Sequence, residues 1–176
     1  QRQMCIRDRN YTGPKETSET FNKYQKSKNI EIFDAGCGTG LVAVELKKMG
    51  YQNFYGADIS QKLLDLAPRG LYKSLDRIDL NKNLIYEDDK FDTVFCVGTF
   101  TFGHVKAKAL GEFTRIVKSG GIIGFTINEG VFLDYGFKSE LDHLVIQKKI
   151  TQLDFYLSDY LSSKGVKAWL GMYRVN

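Results

Sequence analysis

The stretch IEIFDAGCGTGLVAVEL, residues 30–46, sets Gly36, Gly38 and Gly40 at alternate positions between a β-rich run and a helical one. Glycine permits a positive φ and a close approach to the backbone, so this spacing predicts a tight turn with a ligand lying against the main chain. The helix opening at residue 41 presents free N–H groups and a positive dipole end beside that turn. Strand, glycine turn and helix in this order predict the first unit of an α/β domain.

The pattern continues outward from there. NFYGAD (53–58) reads as a second strand, and Ser60 as the N-cap of a helix that stops at Pro68. LDRIDL (75–80) predicts a third strand and the apolar FDTVFCVG (91–98) a fourth, buried on both faces. Val105, Ala109, Phe113, Ile116 and Val117 recur at helical spacing up to Gly120–Gly121, and IIGFTIN (122–128) follows as strand five. After a helix over 139–149, the aromatic-rich runs LDFYLSDYL and VKAWLGMYRV flank SSKG and predict an antiparallel hairpin. The fold class expected is α/β, Rossmann-like and doubly wound: a mainly parallel seven-stranded sheet with a C-terminal antiparallel hairpin. Trp169 and the other tail aromatics are expected to pair within that hairpin.

A chain of 176 residues, 43% apolar and 26% charged, suits one globular domain. No apolar run is long enough to span a bilayer as a helix. Cys5, Cys37 and Cys96 show neither metal-ligand nor disulfide spacing, so we expect no metal site and a reducing, cytoplasmic setting. The net charge is +4, of which residues 1–9, QRQMCIRDR, supply +2. Those residues lack periodicity and read as a non-native leader, which leaves 10–176 as the single domain. The remainder is nearly neutral, so neither a nucleic-acid nor a membrane partner is expected.

In an open α/β sheet the glycine turn faces the ligand crevice at the carboxyl ends of the strands. Two cofactors compete for it. GTGLVA (38–43), with Asp58 twenty residues on, passes loosely for a dinucleotide fingerprint. The spacing G-x-G-x-G after Asp34 favours S-adenosylmethionine instead. An acid there repels a pyrophosphate and attracts a sulfonium and an ammonium.

IFDAGCGTG, GADIS, RIDLN, FDTVFCVG and LGEFTRIVKSGGIIGFT together resemble, in order and spacing, a class I S-adenosylmethionine-dependent methyltransferase. More narrowly, YTGP, GLYKSLDRIDLNK and FCVGTFTFGHV resemble the Williams–Beuren syndrome region methyltransferase-like proteins. The resemblance implies that Gly36, Gly38 and Gly40 line the methionine moiety and ribose, with Asp34 near the amino-acid end. It implies that Asp58 accepts from the ribose hydroxyls and that Ile59 covers one adenine face. Asp79 would accept from the adenine amino group beside Leu80, and Val97 would pass under the methionine part.

On this reading the protein transfers a methyl group to an unidentified acceptor, with a small molecule favoured over a protein. VGTFTFGH (97–104) lacks the Asn/Asp-Pro-Pro-aromatic signature of amino-group methylation on bases or glutamine. His104 is the base-like candidate, since imidazole accepts a proton near neutral pH. His143 falls in a helical run and is expected to be structural. Family members carry aromatic helical sequence that closes over the cofactor. Here either YTGPKETSETFNKY, with Tyr11, Phe21 and Tyr24, does the whole job or part of that lid is lacking. An NAD-dependent oxidoreductase, or a catalytically inactive fold that binds a cofactor or partner, are the alternatives.

Overall fold

The computed structural model describes residues 11–161 and 164–176; the leader assigned to residues 1–9 lies outside them. The first helix, α1 (Gly13–Tyr24), carries proline in its opening turn, where a missing N–H costs nothing. Strand β1 (Glu31–Ala35) then runs through the glycine turn into α2 (Leu41–Lys48). β2 (Asn53–Asp58) leads to the short α3 (Gln61–Leu64), whose N-cap Ser60 accepts from the Leu63 N–H. β3 (Tyr72–Arg77), β4 (Phe91–Phe100), α4 (Ala109–Ile116) and β5 (Val117–Asn128) follow. The chain closes with α5 (Glu129–Phe132), α6 (Phe137–Ile146), β6 (Ile150–Leu161) and β7 (Val166–Val175).

The strands form one seven-stranded sheet in the order β3-β2-β1-β4-β5-β7-β6. The first five are parallel, while β7 inserts antiparallel between β5 and β6. The expected doubly wound sheet with a terminal hairpin is therefore present. Two apolar layers cover it. Phe21 of α1 and Val42, Ala43 and Leu46 of α2 pack on one face with Phe54, Phe95 and Met172. Phe113 of α4, Phe132 of α5 and Phe137 and Leu141 of α6 pack on the other with Phe33, Phe91 and Phe125. Trp169 stacks on Phe155 across the hairpin at 5.1 Å, as a tail-aromatic pair should. Among the described residues no helix is long and apolar enough to cross a membrane.

Two boundaries and one role differ from the sequence reading for identifiable physical reasons. β3 starts three residues early, at Tyr72, because it is an edge strand chosen by register with β2. Tyr72, Ser74 and Asp76 are half-buried, whereas Leu75 stays exposed, so its apolar residues mislead. α4 stops at Ile116, since Val117 already pairs with Phe91; the chain then bulges through Gly120 (φ +81°) before pairing resumes at Ile122. The third difference concerns α1. Phe21 is fully buried between Tyr51 and Phe95, and Tyr24 donates to the Leu153 carbonyl of β6. Both belong to the sheet-covering core, and of the three expected lid aromatics only Tyr11 faces the crevice.

Candidate active site

A cavity of about 330 Å³ opens at the carboxyl ends of β1, β4 and β5. Asp34 of β1, Gly36 and Gly38 of the turn, Leu41 and Leu63 contribute to its lining, as do Tyr11, Phe102, His104, Asn128, and Tyr160 and Lys164 of the hairpin, which the strand order sets at the far edge of the sheet from β1. Val97 lines it from β4, the strand between β1 and β5.

The three motif glycines have three different neighbours. All are left-handed, with φ of +72°, +55° and +88° at Gly36, Gly38 and Gly40. A Cβ on Gly36 would collide with the Thr99 hydroxyl and with its methyl at 2.9 Å. One on Gly40 would press at 3.1 Å on the Tyr72 ring. One on Gly38 would meet nothing within 4 Å. Gly36 and Gly38 line the cavity; Gly40 does not, its free side being closed by Tyr72.

The turn is fastened to the end of β2. Gly36 and Cys37 N–H groups both donate to the Ala57 carbonyl, at 2.7 and 2.9 Å, and Gly40 N–H donates to Cys37 O at 2.8 Å. Asp58, 1% exposed, accepts from Gly38 N–H at 3.0 Å through one carboxylate oxygen and from Ser60 N–H at 2.9 Å through the other. It thus ties the glycine turn to the start of α3. The turn spends these N–H groups on the protein itself and sits between two buried carboxylates, Asp34 and Asp58. That electrostatic character suits a cationic group and not a pyrophosphate.

Asp34, 1% exposed, ends β1 at the cavity floor. Tyr72 reaches it from β3, donating its hydroxyl to Asp34 Oδ2 at 2.7 Å. The ring crosses β2 at Gly56, where a Cβ would stand 2.9 Å from it. Burial, and next the charge of Asp34, push the Tyr72 phenol far above its ordinary value, so it remains a donor. Sequence reasoning missed Tyr72 because its partner is 38 positions away. The available signal was Gly56, a glycine inside a strand, which marks a close approach.

The remaining candidates lie outside the cavity lining. Ile59 is 58% exposed beside Asp58. Asp79 accepts from the Asn81 N–H at 3.0 Å in the turn beyond β3, and Leu80 is buried in the core. The same turn positions His104. Asn81 donates to the His104 carbonyl at 3.2 Å and accepts from the Lys106 N–H at 2.9 Å, clasping the loop that carries the imidazole to the cavity rim. His143 is exposed on α6, away from the cavity.

The methyltransferase domain family matches residues 33–125, from within β1 to within β5. The chain belongs to that family. As a class I methyltransferase domain, it has S-adenosylmethionine as its cofactor. Its human relative, methyltransferase-like protein 27, is 37% identical over 97 residues, which cover 54% of this chain and 39% of that protein. A ribosomal protein L11 methyltransferase from Dictyoglomus turgidum is 24% identical over 106 residues, covering 59% of this chain and 34% of that one. The chain thus spans about a third to two-fifths of these two curated relatives. The fold is shared with a crystallised SAM-dependent methyltransferase from Methanosarcina mazei, at a TM-score of 0.69 and 16% identity, with 89% of this chain and 96% of that one covered.

Proposed function

We propose that the protein transfers the methyl group of S-adenosylmethionine to a small-molecule acceptor held at the hairpin end of the cavity. The observation that carries this reading is that the open space at Gly38 and the buried carboxylate of Asp34 line one cavity. It is a slot a backbone-hugging ligand can enter, with a counter-ion for an ammonium at its end. When bound, S-adenosylmethionine supplies a methyl group on a sulfonium, open to in-line displacement.

The chain's own residues do the rest. Gly36 and Gly38 border the methionine moiety, with Gly40 setting the turn; Asp34, oriented by Tyr72, faces the ammonium. Asp58 holds the turn and offers its carboxylate toward the ribose hydroxyls. Ile59 covers an adenine face, which its exposure supports. Asp79 and Leu80 border the adenine from the turn after β3, and Val97 underlies the reacting centre. Aromatic walls exclude water and align the acceptor. His104, at the rim, takes the proton that the acceptor releases.

A small acceptor is supported by the size of the cavity, about 330 Å³, with the Tyr11 and Tyr160 rings in its lining. Kinship with the Williams–Beuren region methyltransferase-like proteins is supported by the motifs in GLYKSLDRIDLNK and by the methyltransferase-like human relative. A reducing cytoplasmic setting is supported by Cys37 and Cys96, buried as thiols. Titration calorimetry of the full chain with S-adenosylhomocysteine and with NAD tests the cofactor assignment. We expect heat from the first alone; binding of NAD, or of neither, overturns it. Turnover over an acceptor panel separates an enzyme from an inactive binding fold.

A further inference from the structure

We infer that the hairpin end of the cavity takes a flat organic anion as methyl acceptor, with Lys164 as its counter-ion. This rests on the methyltransferase reading above and specifies the chemistry of its second substrate.

The first observation is the distribution of charge. Among the described residues Asp34 is the one carboxylate lining the cavity, and it stands in β1 just before the glycine turn. Lys164 is the lysine lining the opposite end, and no ion pair neutralises it among the described residues, whereas its hairpin neighbour Lys167 is paired with Asp159 at 3.7 Å. The cavity is therefore polarised, negative where an ammonium would lie and positive where the acceptor enters. An amine acceptor would meet a like charge there, and an anion an opposite one.

The second observation is shape. Tyr11 and Tyr160 stand edge to face with centroids 5.6 Å apart. Two backbone contacts fix them: Thr12 N–H donates to the Tyr160 carbonyl at 2.9 Å, and Tyr11 forms a β-bridge with Leu161. The Tyr11 hydroxyl comes against Gly98, where only a glycine leaves it room. Across the mouth Phe102 is 73% exposed and meets Tyr135 edge to face at 5.4 Å. The fixed Tyr11–Tyr160 pair offers a flat acceptor ring an aromatic face, and Phe102 adds a second ring to the lining. Asn128 adds an amide that can donate to an anionic or hydroxyl oxygen.

Three matched probes differing in charge provide the test: 4-hydroxyphenylacetate, 2-(4-hydroxyphenyl)ethanol and tyramine, titrated into the full chain saturated with S-adenosylhomocysteine. We expect the anion to bind at least about tenfold tighter than tyramine, with the alcohol between them, and added salt to narrow that span. Lys164→Glu should reverse the order, and Lys164→Gln should flatten it. Tyramine binding as tightly as the anion, an order unchanged in Lys164→Glu, or no binding of any probe overturns the inference. Failure of S-adenosylhomocysteine itself to bind would instead remove the cofactor reading beneath it.

Discussion

Replacing Tyr72 with phenylalanine removes one hydroxyl and keeps the ring that lies over Gly40 and Gly56. That hydroxyl is 2.7 Å from Asp34 Oδ2, and Asp34 is 1% exposed, so its loss takes a partner from a buried carboxylate. A hydrogen bond to a charged partner contributes about 1.5–3 kcal/mol, the stability loss expected near pH 7. The pH dependence carries a sharper signature. Burial, and after it the charge of Asp34, raise the folded-state value of Tyr72 above the ordinary 10.0. The unfolded chain then ionises first, so this contribution is complete below about pH 10 and is lost as pH rises further. Over that window wild type loses about 1.4 kcal/mol per pH unit through this tyrosine, and Tyr72→Phe does not. Tyr173, pushed up to about 12, titrates alike in both proteins and cancels in the difference. The stability gap should therefore close about one to two pH units above 10. Urea unfolding followed by the emission of Trp169 measures it. Equal stability near neutrality, or a gap that stays constant at alkaline pH, would refute the reasoning.

Gly36→Ala and Gly38→Val should separate packing from binding. The first meets Thr99 and should lose about 2–5 kcal/mol in urea unfolding. The second puts a Cβ where no atom lies within 4 Å, so it should cost about 1–2 kcal/mol of backbone strain while abolishing S-adenosylhomocysteine binding by calorimetry. Asp58→Ala should weaken that ligand at least about tenfold and also cost about 2–4 kcal/mol, because the Gly38 and Ser60 N–H groups lose their acceptor; a stability equal to wild type would show that this clasp is idle. Phe21→Ala should cost about 3–5 kcal/mol, as for a fully buried core ring, whereas a lid residue would change affinity with little effect on the unfolding midpoint.

The sequence was most legible where local signals were strong. β1, the glycine turn and α2 follow from apolar runs punctuated by glycine, and β2 was read to the residue, from Asn53 to Asp58. β3 was displaced because an edge strand needs register more than apolar content, and Val117 read as helix because periodicity cannot tell the last turn from the first strand residue. At the site, Asp34, Gly36, Gly38, Val97 and His104 line the cavity, while Gly40, Asp58, Ile59, Asp79 and Leu80 stand behind or beside it. Tyr72, Tyr160 and Lys164 were missed, since strand order brings them there from β3 and from the hairpin. The spacing of Phe21 and Tyr24 correctly implied a shared helical face. It carried no information on what that face meets, and the answer is the core.

The three glycines illustrate why a motif underdetermines its site. Gly36 yields to Thr99, at the end of β4, and Gly40 to Tyr72, which also requires Gly56 in the intervening strand. Those absences of a side chain are explained by the protein's own atoms, and a domain that bound nothing would still need them. Gly38 differs: its φ of +55° favours glycine, yet no protein atom fills the space where its Cβ would stand, and that space opens on the cavity. Of the three, Gly38 is therefore the one whose free side is left to a ligand, in a cavity that the buried Asp34 also lines. The same narrowing makes Tyr72 a test of the whole arrangement. One aromatic ring sets the size of two glycines on different elements, and its hydroxyl holds the carboxylate of Asp34 at the cavity floor. Turn geometry and the charge of the site are thus coupled through a single side chain.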